Sequence, residues 1–335
     1  MDVQPFIANV WFGLVGVMLA FYVILDGFDL GVGVLSLLHR RQAQHSVMLA
    51  SLGSIWDANA TWLIVLAGAL FGAFPLVFAV VLQAMYIPLM LMLFGLIFRA
   101  VAFEFREHAQ RKRGWTVAFG VGSLTAAAAQ GLILGGYLSG IEVRDGRFAG
   151  SVWDWLNPFS LMVAAGVVAG YSLLGATYLV LKTTGEIQER SYRLAQGCAI
   201  LTLLAGIVVS LWTPILYPYI REKWYAFPQF YYLAILPVLA FTAFLMLMRA
   251  LARRYEASPF WWSLVIFVTS FIGLAASIYP NIIPPGITIT QAAASPKTLV
   301  FMLTGIGMLI PIIIVYNGYQ YLVFKGKVSG EYGEH

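Results

Sequence analysis

The sequence has little charge, a single cysteine and few histidines for its length. Of 335 residues, 10% are charged and 61% are hydrophobic, so a soluble chain of this size would lack the polar side chains needed to cover its surface. The one cysteine, Cys198, excludes an internal disulfide and any CxxC metal or redox site. No basic segment precedes the first apolar run, so no cleavable signal peptide is expected. The composition therefore predicts a membrane protein that crosses the bilayer several times.

Nine apolar stretches are long enough to cross a bilayer, which takes about 20 helical residues. No linker or clear internal repeat separates them, so residues 1–335 are predicted to form a single all-α polytopic membrane domain. The spans are expected at residues 6–38, 47–73, 75–98, 115–139, 158–181, 194–216, 228–248, 260–283 and 298–324.

Positive charge is unevenly shared between the connections. When they are assigned alternately to the two sides of the membrane, one side carries 15 Lys and Arg residues and the other carries five. The positive-inside rule then places the N-terminus outside and the C-terminus in the cytoplasm. Because these cations belong to loops, the net charge of +5 does not indicate nucleic-acid binding.

Three acidic residues, Asp26, Asp29 and Asp57, fall inside the predicted spans. An Asp at the centre of a membrane helix costs roughly 2.5 to 3.5 kcal/mol on insertion scales, so it needs a partner, a proton or water. In an antiparallel hairpin, Asp29 and Asp57 reach nearly the same depth. We therefore expect the three carboxylates to face one another in a polar seam that opens to the cytoplasm and relays protons. The alternative is that they only fix helix packing through hydrogen bonds.

Two glycines accompany the first acids. Gly27 and Gly31 have the GxxxG spacing, which predicts that another helix approaches the first span closely at this point.

The spans lack side chains that ligate metals. His39, His45, His108 and His335 all fall in loops or in the tail, so no span offers an imidazole to a heme. No P-loop, HExxH or GxSxG motif occurs. Any redox chemistry is therefore expected to come from a partner subunit.

Two motifs resemble those of subunit II of the cytochrome bd family of quinol oxidases. Residues 26–33, DGFDLGVG, resemble the family's DGFDxGxG signature, and residues 56–62, WDANATW, are similar to its WDGNxxW motif, with Ala58 in place of the usual glycine. A third specific match is at residues 98–106 (FRAVAFEFR), and corroborating matches follow in family order at residues 156–159 (LNPF), 175–178 (GATY), 184–186 (TGE), 279–284 (YPNIIP) and 311–316 (PIIIVY).

The resemblance implies a nine-span subunit of the bacterial inner membrane, built as two four-helix bundles plus a peripheral helix. It implies a heme-bearing subunit I as partner, in a complex that oxidises quinol and reduces dioxygen to water with protons from the cytoplasm. A small single-span subunit and lipid are further candidate partners. The short connection between the sixth and seventh spans is similar to that of compact members called cyanide-insensitive oxidases. This leaves open whether the partner carries heme d or only b-type hemes.

The resemblance also implies roles for particular residues. By motif, the three intramembrane acids belong to the proton path. Arg99 and Glu104, expected at the cytoplasmic margin, would be an ion-paired structural element or the entrance of that path. In some members a quinone lies against the second and third spans, so Trp56 or Trp62 is a candidate for contact with its ring.

Two other functions remain open at this stage. An independent proton-coupled transporter would bind its substrate or ion at midplane acids, and it would show discontinuous helices and internal repeats, neither of which is evident. A purely structural membrane partner would use the acids for packing alone.

Overall fold

A computed structural model of the chain describes residues 3–53, 55–323 and 325–328. Almost all of the regular structure is helical, with two short hairpins in the connections. The helices are α1 Val3–Ser36, α2 Gln42–Leu52, α3 Ile55–Ala73, α4 Pro75–Ala84, α5 Tyr86–His108, α6 Lys112–Leu138, α7 Pro158–Lys182, α8 Gly185–Leu216, α9 Pro218–Tyr225, α10 Gln229–Ala252, α11 Ser258–Ile278, α12 Ile289–Ala292 and α13 Pro296–Val323. The strands pair antiparallel as β1 Val143–Arg144 with β2 Arg147–Phe148, and β3 Asn281–Ile283 with β4 Ile287–Thr288.

Nine helices in the described part of the chain are long and apolar enough to cross a membrane. The all-α polytopic fold class is therefore confirmed, and the largest differences from the predicted spans lie in the second and third. The nine helices are α1, α3, α5, α6, α7, α8, α10, α11 and α13.

The second predicted span is divided into two helices at Gly53. This residue has a φ of 52°, a left-handed conformation that glycine adopts because it has no Cβ. As a result α2 ends at Leu52 and α3 begins at Ile55. Asp57 is thus the third residue of α3, whereas the sequence predicted that it lies deep inside one continuous helix.

The third predicted span is also interrupted. Pro88 lacks the N–H that would bond to the carbonyl of Ala84, and the chain turns at Met85 between α4 and α5. The membrane-spanning helix is α5, which runs on to His108. It therefore contains Arg99, which was expected at the margin of a span.

The first helix lies at the centre of the packed structure, against α3, α6 and α7. Residues 26–33 are all buried, so α1 is surrounded on every side at this level. A Cβ on Gly31 would lie 1.8 Å from the carbonyl oxygen of Tyr171, and one on Gly27 would lie 2.9 Å from the ring of Tyr171. The close approach predicted from the two glycines is confirmed, and the partner helix is α7.

Polar contacts fix the two ends of the bundle differently. We call the end that contains residues 37–41, 109–111, 183–184, 253–257 and 325–328 the basic end, and the other the opposite end. At the basic end, side chains form ion pairs across the connections, Arg41–Glu186 at 2.9 Å, Arg254–Glu189 at 2.8 Å and Lys327–Glu256 at 2.6 Å. At the opposite end hydrogen bonds join the segments, from backbone groups such as Ala294 N to Ala73 O at 2.9 Å and from side chains such as Trp224 Nε1 to Ser277 Oγ at 2.8 Å.

Candidate functional site

Two buried acids on α1 share one arginine from α5. Arg99 Nη1 donates to Asp26 Oδ1 at 2.7 Å, and Arg99 Nη2 lies 3.9 Å from Asp29 Oδ2. The three side chains are at most 3% exposed. Asp26 and Asp29 are three residues apart, so they lie on one face of α1 and can both reach the same guanidinium. The structure therefore brings together the first two of the three acids predicted from the sequence.

The triad of Asp26, Asp29 and Arg99 does not balance its charge when both carboxylates are ionised. Two negative charges then face one positive charge in a site removed from water, and an uncompensated buried charge costs several kcal/mol. One oxygen of each carboxylate, Asp26 Oδ2 and Asp29 Oδ1, also has no hydrogen-bond partner among the described residues. Each of these two oxygens can therefore still accept a hydrogen bond.

An amide from α3 and a phenol from α13 support Asp29. Asn59 Nδ2 donates to Asp29 Oδ2 at 2.9 Å and to the carbonyl of Leu25 at 3.3 Å. Asn59 Oδ1 accepts from the hydroxyl of Tyr321 at 2.9 Å. These bonds fix the orientation of the Asn59 amide and link three helices through it.

A second chain of hydrogen bonds starts one turn from Asp26, at Tyr22. Gln130 Nε2 donates to the Tyr22 hydroxyl at 2.8 Å, and the hydroxyl of Tyr171 donates to Gln130 Oε1 at 2.6 Å. None of the sequence motifs predicted this network. One signal was present, because Gln130 interrupts a run of alanine, glycine and apolar residues in the middle of α6.

Asp57 lies apart from the other two acids: its side chain is exposed on the surface of this chain, whereas those of Asp26 and Asp29 are buried. The prediction that all three carboxylates face one another is therefore wrong for Asp57. The reason is helical geometry: each residue turns an α-helix by about 100°, so residues two apart point in nearly opposite directions. Since Asn59 faces Asp29, Asp57 faces outwards. Its role in a proton path stays a prediction.

Arg99 and Glu104 do not form the pair that was expected at the margin. Arg99 is buried and its ion pair is with Asp26, whereas Glu104 is exposed near the end of α5. Glu104 lies five residues after Arg99, a turn of about 500°, which leaves the two side chains on different faces of the helix. Arg99 is thus ion-paired with a residue other than Glu104, and the role of either residue in a proton path stays a prediction.

The two tryptophans of the second motif have different environments. Trp62 is fully buried and stacks on Phe21, with ring centroids 4.6 Å apart, so it offers no ring face to a quinone outside the chain. Trp56 is half-buried and lies beside Phe103 and the Arg99 guanidinium. Of the two, only Trp56 keeps part of its ring accessible for the predicted quinone contact.

The three described histidines lie at or near helix ends. His39 Nδ1 lies 2.9 Å from the Leu35 carbonyl, and His45 Nε2 lies 3.1 Å from the carbonyls of Ser36 and His39. These rings thus cap the C-terminal end of α1. His108 is the last residue of α5, and His335 lies outside the described residues. Within the described ranges, no three His, Cys, Asp or Glu side chains are grouped as metal ligands.

Comparison with known proteins decides the family. Residues 7–324 match the family described as cytochrome bd terminal oxidase subunit II. The chain belongs to this family. It is therefore a subunit of a bacterial inner-membrane oxidase complex whose hemes and subunit I partner are implied by the family.

Individual subunits of this family are similar over nearly their whole length. The chain is 29% identical to cytochrome bd-I ubiquinol oxidase subunit 2 of Escherichia coli K12, covering 96% of this chain and 95% of that one. It is 28% identical to cytochrome bd ubiquinol oxidase subunit 2 of Bacillus subtilis, covering 96% of each. A chain of the bd oxidase structure from Geobacillus thermodenitrificans shares the fold, with a TM-score of 0.75, 19% identity and coverage of 95% of this chain and 98% of that one.

Proposed function

We propose that this chain is the subunit without hemes in an oxidase that transfers electrons from quinol to dioxygen and takes protons from the cytoplasm. In this proposal it stabilises the heme-bearing subunit I and conducts protons towards it. The hemes of the partner, b-type with or without heme d, supply the electron transfer and the reduction of oxygen to water. One observation carries the proposal. Asp57 is an exposed carboxylate on an apolar face of α3, and it lies two residues before Asn59, which contacts the buried Asp29.

The outer face of α3 supports docking of the partner. Asp57, Ile64 and Phe71 recur at intervals of seven residues and therefore lie along one side of the helix. Ile64 is 74% exposed and Phe71 is 62% exposed. Lipid would cover the two apolar side chains without cost, but it would leave Asp57 without a hydrogen-bonding partner. A protein partner that offers polar groups or water at Asp57 removes this penalty.

The buried triad supports storage of a proton. Its charges balance when the two carboxyls together hold one proton, which either of them can bind at an oxygen without another partner. Asn59 joins the two parts of the proposed path, because it contacts Asp29 and lies on the same helix as Asp57. Protons would therefore move from the triad along α3 to the face covered by subunit I.

The distribution of charge supports an orientation for the subunit. The basic end contains most of the loop cations, so we assign it to the cytoplasm and the N-terminus of α1 to the outside. Trp56, half-buried beside Asp57, remains our candidate for contact with a bound quinone. A small third subunit is a further candidate partner.

The test replaces Asp57 by Asn in the purified complex and measures quinol oxidation together with the heme spectrum. We expect turnover to fall at least tenfold while the heme content is retained, because Asn cannot bind and release a proton. The matched control is Asp145→Asn, an exposed loop acid whose φ of 49° is tolerated well by Asn. Unchanged turnover of the Asp57 variant with full heme content would contradict its role in proton conduction.

Replacement of Asp29 separates conduction from a purely structural role. If Asp29 relays protons, Asp29→Asn lowers turnover in a complex that still assembles and contains its hemes. If Asp29 only maintains packing, the same variant loses assembly or thermal stability, and the turnover per heme of the remaining complex is normal. Membership of the oxidase family favours both readings over an independent transporter.

A further inference from the structure

Two hydrogen-bond donors, one on α3 and one on α13, are buried without partners in the part of the chain that the structure describes. Trp62 Nε1 and Asn317 Nδ2 have no hydrogen-bond partner among the described residues. Trp62 is 0% exposed and Asn317 is 6% exposed. A buried donor without an acceptor costs about 1 to 3 kcal/mol, so two of them in one region call for an explanation.

The register of the two helices places Trp62 and Asn317 at a similar level along the helix axes. The helices run antiparallel, and their contact is fixed at both ends. Near the opposite end, the methyl group of Met302 lies 2.3 Å from the position of a Cβ on Gly72, and near the basic end Tyr321 bonds to Asn59. Asn317 lies one turn before Tyr321 on α13, and Trp62 lies one turn after Asn59 on α3. Both are therefore displaced from the Tyr321–Asn59 bond by one turn in the same direction.

The chemistry of this region selects the ligand. Two N–H donors repel a metal cation, and the nearby acid pair repels an anion. A ligand that accepts two hydrogen bonds and also donates is a neutral molecule such as water, which buried polar groups commonly bind in this way. Asn59 places Asp29 beside this region, and Asp29 Oδ1 is an acceptor without a partner.

We propose that α1, α3 and α13 enclose an ordered-water site in which water accepts hydrogen bonds from Trp62 Nε1 and Asn317 Nδ2 and donates towards Asp29 Oδ1. This water would carry protons between Asp29 and the outer side of the α3–α13 contact. The inference rests on the proposed function for its role in conduction, but the existence of the site does not depend on it. Asn317 is in this account a positioning residue, because it holds the water and does not itself exchange protons.

The experiment determines the structure of the complex in lipid nanodiscs by electron cryomicroscopy, at a resolution that shows ordered water. It compares the unmodified complex with Asn317→Leu, which removes the donor while keeping a similar volume. We expect density within about 2.7 to 3.2 Å of both nitrogens, its loss in the variant, and turnover at least threefold lower with heme content unchanged. The control, Tyr316→Phe, removes an exposed hydroxyl from the same helix and should leave density and turnover unchanged.

Each other outcome overturns a defined part of the inference. A direct hydrogen bond between Trp62 and the oxygen of a reversed Asn317 amide would overturn the site itself. Loss of the density with normal turnover would overturn its role in conduction, while the proposed function would stand if Asp57→Asn and Asp29→Asn are inactive. If those two variants are active and the density is present, the site stands and the proposed function fails. If Asn317→Leu does not assemble, Trp62→Phe removes the other donor, and persistence of the density there would contradict the proposal.

Discussion

The two sides of α3 differ in burial and in contacts, although Asp57 on the outer side and Asn59 on the inner side are only two residues apart. On the inner side, Asn59 uses its amide to contact Asp29, Leu25 and Tyr321, and Trp62 is fully buried. On the outer side, Asp57 and Ile64 are exposed and have no comparable contacts to neighbouring helices among the residues that the structure describes. The inner side stabilises this chain, whereas the outer side is available to another subunit. Changes at inner positions should therefore reduce stability, and matched changes at outer positions should not.

The largest effect is expected from removing the cation of the buried triad. Arg99→Met leaves Asp26 and Asp29 without their ion-pair partner, and breaking a buried pair in this way typically costs about 3 to 5 kcal/mol. Thermal unfolding of the purified complex measures the loss. Arg111→Met, at an exposed position on the basic end, should change stability little. Equal effects of the two substitutions would show that the buried triad is not important for stability.

The next largest effect concerns the contact between α1 and α7. Gly31→Ala places a methyl group where the Tyr171 carbonyl oxygen lies 1.8 Å away, so the two helices must separate at a typical cost of about 1 to 3 kcal/mol. The control is Gly13→Ala on the same helix. The added Cβ at this position has no side chain and no atom of another helix within 4 Å. The midpoint of thermal unfolding should fall for the first variant only. A fall of similar size for both would point to a general sensitivity of α1.

A smaller effect is expected from the link between α13 and Asn59. Tyr321→Phe removes the hydroxyl that donates to Asn59 Oδ1, which should cost about 0.5 to 1.5 kcal/mol, the usual contribution of one hydrogen bond. The control is Tyr316→Phe, which removes a hydroxyl from the exposed side of α13. Chemical or thermal denaturation of both variants gives the difference. No difference between them would mean that the Asn59–Tyr321 bond does not stabilise the α3–α13 contact.

The smallest effect is a change in pH dependence at the basic end. Burial lowers the pKa of His39 below its usual value of 6.5, and the nearby charges of Arg190 and His45 lower it further. The hydrogen bond to the Leu35 carbonyl and the charge of Glu186 raise the pKa, but by less. The folded chain therefore favours neutral His39, and this contribution to stability is present above pH 6.5 and is lost as the pH falls towards the lowered pKa. His39→Gln should weaken the loss of stability on acidification below pH 6.5, whereas His108→Gln at an exposed position should not. The measurement is the unfolding midpoint across that pH range.

Much of the fold followed from the sequence because the relevant signals are local. Long apolar runs indicate membrane helices whatever their neighbours, and the spacing of Gly27 and Gly31 indicates a close helix contact. The breaks at Gly53 and Met85 were harder to predict, since the apolar pattern continues through both positions. The position of Asp57 was missed for a different reason, because the apolar pattern does not fix the rotation of α3, and Asn59 takes the place beside Asp29.

The sequence by itself determined that this chain crosses the membrane with nine apolar helices, that it carries acids inside them, and that it resembles one oxidase subunit family. Only the tertiary structure decided which acids meet, because that depends on helix register and rotation. Asp26 and Asp29 face Arg99 from a distant part of the chain, and a turn of about 200° over two residues of α3 directs Asn59 inwards and Asp57 outwards. Rotation of this kind is set by packing against neighbouring helices, which the order of residues along one helix does not specify.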